Sequence, residues 1–227
     1  MTVDVTTFPI VNIKEGNWGK LSIVKVDEIY RLFYDNVPWY HYASDTNREI
    51  YEQWSGYDLA YGDVLISGFG FGHMANWLAN KPEVKNVYVI EKYQEVIDVY
   101  LDSNSLPSNV HIIIDDADTY LTDKKYDCVI WDHIADGAPE PDFYKNLCLS
   151  AKNIKHDVFW FWSLEFYYAR FYYGMKFDHY SNPKFDFNQF DFSRSWQKLR
   201  QVLDMPTIPN LSKDKIDSYM NAYFMRI

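Results

Sequence analysis

The order of apolar and polar positions from Gly62 onward predicts strands that alternate with helices. Short runs rich in Val and Ile are typical of strands buried on both faces: "DVLISG", "VKNVYVIE", "SNVHIIIDD", "YDCVIWDH" and "KHDVFWFW". The segments between them have helical character: "HMANWLAN", "YQEVIDVYLDSN", "ADTYLTD" and "PDFYKNLCLSAKNI". This alternation predicts an α/β fold with a Rossmann-like, doubly wound, mostly parallel sheet. Its ligand site is expected at the carboxyl ends of the strands.

The first part of the chain follows a different pattern. "GKLSIVKV" and "IYRLFYD" are β-type runs, "YDNVPW" has turn residues, and "SDTNREIYEQW" opens with helix-capping residues. We therefore expect a small N-terminal β-hairpin region with a linking helix at residues 1–60. Residues 61–227 are expected to form one Rossmann-like domain, which would hold the ligand site.

The pattern weakens after Trp162. "LEFYYARFYYGM" and "SRSWQKLRQVLDM" favour helices, and "SYMNAYFMRI" is interpreted as a last strand of the sheet. Aromatic residues make up 19% of the chain, and most of them are expected to pack in the core or at an interface.

Charge and cysteine content exclude several classes of protein. The formal net charge of −10 repels phosphate backbones, so nucleic acid is not expected as a partner. Cys128 and Cys148 are the two cysteines, which are too few for a disulfide framework or a cysteine-based zinc site. No apolar run approaches the ~18 residues of a membrane span. We expect a cytoplasmic protein with a small-molecule substrate, no membrane partner and no metal.

Three glycines at alternate positions follow the first strand of the alternating region. Gly68, Gly70 and Gly72 can adopt positive φ and let the backbone approach a ligand closely. Glu91 ends the next strand, 19 residues after Gly72. An acid at an offset of ~20 residues binds ribose hydroxyls in such folds. The alternative for the loop alone is a tight strand–helix turn.

Acidic side chains also end the following two strands. Asp116 is placed where it could accept from an adenine amino group; it adjoins Asp115, and only one of the two is expected to face the site. Asp132 and His133 end the next strand at the same rim. The loop lacks the "GK[ST]" of a phosphate cradle and the G-x-G-x-x-G spacing. An acidic rim suits a nucleoside without phosphates, so an S-adenosyl sulfonium compound fits better than NAD.

Residues 63–132 resemble class I S-adenosylmethionine-dependent methyltransferases, and among them most closely the spermidine synthase group. "DDADTYL" resembles the motif that contacts adenine, which selects Asp116 and Ala117 as cofactor-binding residues. "YDCVIWDHIADGAPEPDFY" resembles the stretch that carries the catalytic aspartate, which is Asp132 here. "GKLSIVKV…IYRLFYDNVPW" resembles the N-terminal hairpin of that group, which implies a homo-oligomer. The cofactor implied is S-adenosylmethionine or its decarboxylated form.

Departures from the spermidine synthase pattern bear on the reaction. Synthases carry an aspartate among the loop glycines that holds the ammonium of decarboxylated S-adenosylmethionine, whereas this chain has Phe69 and Phe71. "DHIAD" is one residue longer than the family's motif, and Trp39 stands at its glutamine. These changes favour methyl transfer from intact S-adenosylmethionine to a small substrate such as an amine.

The substrate side is expected to use aromatic and acidic residues. Trp39, Tyr40 and Tyr51 could wall the substrate, since aromatic faces attract ammonium groups. Asp136 could attract a cation, and His133 is a rival base to Asp132. Ordinary packing or loop charges remain the alternative.

Three other functions stay open at this point. The first is aminopropyl transfer from decarboxylated S-adenosylmethionine. The second is a non-catalytic nucleoside-binding protein, because a fold does not fix a function. The third is a hydrolase or lyase that acts on S-adenosylmethionine itself.

Overall fold

A four-stranded antiparallel sheet comes first among the described residues. The computed structural model describes residues 11–26, 29–43, 48–133, 149–162, 164–165, 168 and 207–224. The first sheet has the order β1–β2–β3–β4. Its strands are β1 (Gly16–Trp18), β2 (Leu21–Val26), β3 (Ile29–Tyr34) and β4 (Val37–Ala43). Leu21, Ile23 and Leu32 are buried on one face of it, as alternation along a half-buried strand requires.

This sheet is larger than the predicted hairpin. Asp35 and Asn36 adopt φ of 52° and 65°, and positive φ at both central positions marks the type I′ turns that join two strands tightly. β4 follows at once, and its Pro38 pairs with Phe33. Proline is tolerated there because β4 is an edge strand. The proline made the segment resemble a longer turn in the sequence.

A five-stranded parallel sheet follows helix α1 (Arg48–Leu59). Its order is β7–β6–β5–β8–β9, and each neighbouring pair is parallel. The predicted Rossmann-like, doubly wound fold is therefore confirmed. Because the chain moves outward from β5 in one direction and then in the other, a crevice forms at the carboxyl ends of the central strands. The strands are β5 (Gly62–Ser67), β6 (Val84–Glu91), β7 (Val110–Ile114), β8 (Lys125–Trp131) and β9 (Lys155–Phe161).

Three further helices are α2 (His73–Ala79), α3 (Gln94–Leu101) and α4 (Lys213–Phe224). The predicted last strand was wrong, because α4 covers most of "SYMNAYFMRI". Ile216, Tyr219 and Met220 are buried, and their spacing of three and four residues matches one face of a helix. The predicted helix at "ADTYLTD" was also wrong. Residues 117–119 form a turn instead.

Helix α1 is fixed against the sheet by its C-terminal end and by close packing. The Lys81 ammonium donates to the carbonyl oxygens of Tyr57, Asp58 and Ala60 at 2.6, 2.9 and 2.8 Å. A Cβ on Gly56 would lie 2.8 Å from the indole of Trp160, so a glycine is what lets α1 approach β9.

Several predicted features lie outside the described residues. They are most of the three predicted helices at 141–154, 164–175 and 193–205, together with Asp136. Residues 149–151, at the end of the first of these, are helical. Among the described helices, none is long and apolar enough to cross a membrane.

Candidate functional site

A cavity of about 320 Å³ opens at the carboxyl ends of β5, β6 and β8. That volume is within the ~300–1,000 Å³ of typical ligand pockets. Leu32 of β3 contributes to one wall, so the N-terminal sheet takes part in the site. Five carboxylate side chains line the cavity: Glu91, Asp115, Asp116, Asp118 and Asp132.

The glycine loop after β5 needs its glycines for two different reasons. Gly68, Gly70 and Gly72 have φ of 76°, 54° and 79°, a region that other L-residues rarely adopt. A Cβ on Gly68 would also lie 3.2 Å from the carbonyl oxygen of Asp132. Gly68 and Gly70 line the cavity, whereas Gly72 is the N-cap of α2.

Both phenylalanines of the loop are buried. Phe69 and Phe71 are 5% and 4% exposed. The ring of Phe69 meets Tyr100 edge-on with centroids 4.9 Å apart, a favourable aromatic geometry. Phe69 also lines the cavity. The loop therefore presents backbone and apolar surface to the site, and no charge of its own.

Glu91 ties the end of β6 to the glycine loop. Its side chain is 6% exposed overall, and its carboxylate accepts from the backbone amides of Phe69 and Tyr93, both at 2.9 Å. Burial raises the pKa of Glu91, and the backbone hydrogen bonds oppose that rise. A carboxylate offers about four acceptor positions, so Glu91 keeps acceptor capacity for hydroxyl groups in the cavity.

The acidic residues after β7 depart from the prediction. Asp115 and Asp116 both line the cavity together with Ala117, although only one of the two acids was expected to do so. β7 ends at Ile114, so the alternation of side chains along a strand no longer applies. Asp116 also accepts from Lys92 Nζ at 2.6 Å, and this hydrogen bond lowers the pKa of Asp116.

Asp132 and His133 follow β8 and meet groups from three other segments. The side-chain amide of Gln53 donates to Asp132 Oδ2 at 2.6 Å. The backbone amide of Asp132 donates to Ser67 Oγ at 2.9 Å. His133 lies within hydrogen-bonding distance of Ser67 and Asp118. Both predicted residues line the cavity.

The three residues of the predicted aromatic wall lie on the N-terminal sheet and on helix α1. Trp39 and Tyr40 belong to β4, and Tyr51 belongs to α1; the structure describes these elements but not those three side chains. Asp136 lies outside the described residues. Residues that sequence reasoning missed are Ser67, Gln53, Lys92 and Asp118. Ser67 carried a usable signal, because it is the last residue of a buried strand and strand ends line such sites.

The residues present fit a nucleoside. The cavity combines a buried carboxylate beside a glycine loop with apolar walls from Ile66, Ile90 and Ile130. Ligand pockets are commonly built in this way, from apolar surface with a few placed polar groups. One cationic side chain among the described lining residues, Lys92, is already paired with Asp116. The site is therefore better suited to a neutral or cationic ligand than to a polyphosphate.

Neither a protein-family model nor a curated protein sequence matches the chain. Solved structures with a similar fold include spermidine synthase from Thermotoga maritima, at 15% identity and a TM-score of 0.44 over 65% of this chain and 55% of that one. A probable spermidine synthase from Corynebacterium glutamicum ATCC 13032 has 17% identity and a TM-score of 0.40 over 62% and 60%. Phosphoethanolamine N-methyltransferase 1 from Haemonchus contortus, in complex with phosphoethanolamine and S-adenosylhomocysteine, has 18% identity and a TM-score of 0.39 over 51% and 25%. The match thus spans between 25% and 60% of these three proteins.

Proposed function

We propose that this chain is an S-adenosylmethionine-dependent methyltransferase that acts on a small molecule, with amines as the first acceptors to test. The observation that carries the proposal is Glu91. Its buried carboxylate is held by two backbone amides at the end of β6, beside the glycine loop. That position suits acceptance of hydrogen bonds from a ribose diol.

The residues around Asp132 would orient the acceptor. When bound, S-adenosylmethionine would supply a methyl group already activated by its sulfonium. The protein then has mainly to align the acceptor nitrogen with that methyl group. Asp132 can accept a hydrogen bond from the nitrogen, while Gln53 holds the other side of its carboxylate at 2.6 Å from Oδ2.

The glycine loop favours methyl transfer over aminopropyl transfer. Phe69 and Phe71 are buried and place no acid in the loop, so nothing there repels the carboxylate of intact S-adenosylmethionine. Aminopropyl transfer remains the second candidate, because Asp115 and Asp118 line the same cavity and could hold the ammonium of the decarboxylated compound.

Calorimetric titration with S-adenosylmethionine and with its decarboxylated form tests the proposal. We expect tighter binding of the intact compound. Tighter binding of the decarboxylated form would favour aminopropyl transfer instead. Transfer of a radiolabelled methyl group to a panel of small amines then tests turnover. Binding without turnover on any acceptor would favour a non-catalytic nucleoside-binding protein.

The variant Glu91→Gln tests the residue that carries the proposal. The variant would weaken the hydrogen bonds from the ribose hydroxyls to a charged carboxylate, which contribute ~1.5–3 kcal/mol. We therefore expect a roughly 10- to 100-fold weaker affinity for S-adenosylmethionine. Glu95→Gln is the matched control, because Glu95 is exposed in the first turn of α3. Equal affinities of the two variants would contradict the assigned role, provided that both melt as the unmodified protein does.

A further inference from the structure

A chain of hydrogen bonds connects the end of β5, the residue pair after β8 and the turn after β7, all beside the cavity. Ser67 Oγ is 2.7 Å from His133 Nδ1, and His133 Nε2 is 3.1 Å from Asp118 Oδ1. The backbone amide of Asp132 donates to the same Ser67 Oγ at 2.9 Å. Ser67, His133 and Asp118 all line the cavity.

The available hydrogens fix the direction of this chain. An ionised carboxylate only accepts, so Asp118 requires a hydrogen on His133 Nε2. In the neutral imidazole, Nδ1 is then the acceptor, and the hydroxyl hydrogen of Ser67 is donated to it. Ser67 Oγ already accepts from the amide of Asp132, and a hydroxyl oxygen has two lone pairs. One acceptor position on Ser67 is therefore not used by these bonds, and Ser67 lines the cavity although it is only 1% exposed.

We propose that Ser67, His133 and Asp118 form a proton relay that removes the acceptor's proton during the reaction. The relay rests on the proposed methyl transfer and adds to it the final proton acceptor. As the acceptor nitrogen bonds to the methyl carbon, the bond from that carbon to the sulfonium sulfur would break, and its electron pair would stay on the sulfur as a neutral thioether. The proton of the nitrogen passes to Ser67 Oγ. The hydroxyl proton of Ser67 passes to His133 Nδ1 at the same time. Ser67 ends as a neutral hydroxyl, and His133 ends as an imidazolium that Asp118 faces.

Chemistry favours the imidazole over the neighbouring carboxylate as the final base. A side-chain imidazole ordinarily has a pKa of about 6.5, against about 3.9 for an aspartate. Asp132 also accepts from Gln53, and a donor on a carboxylate stabilises its ionised form. Asp132 is thus suited to orient the acceptor, while His133 is suited to keep its proton.

The charges around His133 agree with this assignment. The hydrogen bond with His133 lowers the pKa of Asp118, so Asp118 is held as the ionised acceptor that the relay requires. Glu91 faces the ring from β6, and Asp132 precedes it in the chain. Lys92 carries the opposite charge to these acids, and its charge also lowers the pKa of Asp118. Asp118 acts through His133 and is a positioning residue.

Nuclear magnetic resonance of the histidine side chains tests the geometry without any acceptor. The chain has 6 histidines, and loss of one signal in His133→Asn assigns the ring. We expect the Nε2–H tautomer in the neutral ring, and a larger share of the Nδ1–H tautomer in Asp118→Asn, which lacks the carboxylate that requires a hydrogen on Nε2. The Nδ1–H tautomer in the unmodified protein, or an unchanged tautomer in Asp118→Asn, would overturn the relay. Asp98→Asn, an exposed acid bonded to Gln94, is the matched control.

The pH dependence of methyl transfer tests the chemistry, with whichever amine the acceptor panel identifies. General-base catalysis contributes ~10²–10⁴-fold, so His133→Asn and Ser67→Ala should lower kcat by about that factor. Because both residues line the cavity, some loss of affinity for S-adenosylmethionine is expected, but it should be much smaller than the loss of kcat. His133→Asn should also abolish the ascending limb of the profile, which a merely structural role would not do.

The two proposals fail in different ways. Absence of S-adenosylmethionine binding or of turnover in the unmodified protein would refute the methyltransferase and the relay with it. Normal turnover in His133→Asn, with the same ascending limb, would refute the relay and leave the methyltransferase intact.

Discussion

Replacement of Lys81 by methionine should destabilise the protein through the C-terminal end of α1. The Lys81 ammonium donates to three main-chain carbonyl oxygens at 2.6–2.9 Å. Methionine keeps most of the length of the side chain but removes the ammonium donor from all three carbonyls, of which that of Tyr57 keeps a bond of 3.2 Å from the Ala60 amide. Hydrogen bonds to charged groups contribute ~1.5–3 kcal/mol each, and ordering a lysine costs ~2 kcal/mol.

Water reaches a half-buried lysine and can replace part of what is lost. We therefore expect the free energy of unfolding to fall by about 2–4 kcal/mol, or roughly 4–16 °C in Tm at this chain length. Urea unfolding followed by tryptophan fluorescence measures it. Lys85→Met, at an exposed position of β6, should stay within ~0.5 kcal/mol. A Lys81→Met variant as stable as this control would refute the capping role.

Three other changes have expected outcomes. Gly68→Ala should weaken S-adenosylmethionine binding in calorimetry. Its control is Gly19→Ala, where φ is 62° but nothing lies near the new Cβ. Gly19→Ala should lower the free energy of unfolding only by the ~1–2 kcal/mol of backbone strain. Gly56→Ala should lower the free energy of unfolding by about 1–3 kcal/mol in urea titration, because the new Cβ meets Trp160 at 2.8 Å. The raised pKa of Glu91 means that the folded state binds the proton of this carboxyl more tightly than the unfolded state does. The free energy of unfolding, measured relative to Glu91→Gln, should therefore decline with rising pH. The decline should run from the unfolded pKa near ~4.3 to the raised folded pKa. An increase over that interval would contradict the assignment of burial as the cause.

The central strands of the parallel sheet could be predicted from the sequence because they are buried on both faces. The run Cys128–Trp131 of β8 is buried throughout, and a short continuous apolar run of this kind is typical of a strand inside a parallel sheet. Glu91 and Asp132 could be placed at the cavity for the same reason, since the end of a parallel strand fixes where its next residues lie.

The errors lie where local pattern and long-range packing disagree. The C-terminal segment contains aromatic residues that also suit strands, and only the packing of Ile216 and Tyr219 in the core decides for a helix. The turn after β7 releases Asp115 and Asp116 from strand alternation. Contacts such as that of Gln53 with Asp132 join residues 79 positions apart, and no local pattern encodes such a pair.

The ring of carboxylates around the cavity has a kinetic consequence. Glu91, Asp115, Asp116, Asp118 and Asp132 lie on one rim with Lys92 as their counter-charge. A field of this sign attracts cations from solution and raises their rate of capture, an effect that salt screens. In the proposed methyl transfer, a donor that enters as a sulfonium would leave as a neutral thioether, so the rim would attract the spent molecule less strongly than the donor. Capture of the donor should therefore depend more strongly on ionic strength than capture of the product.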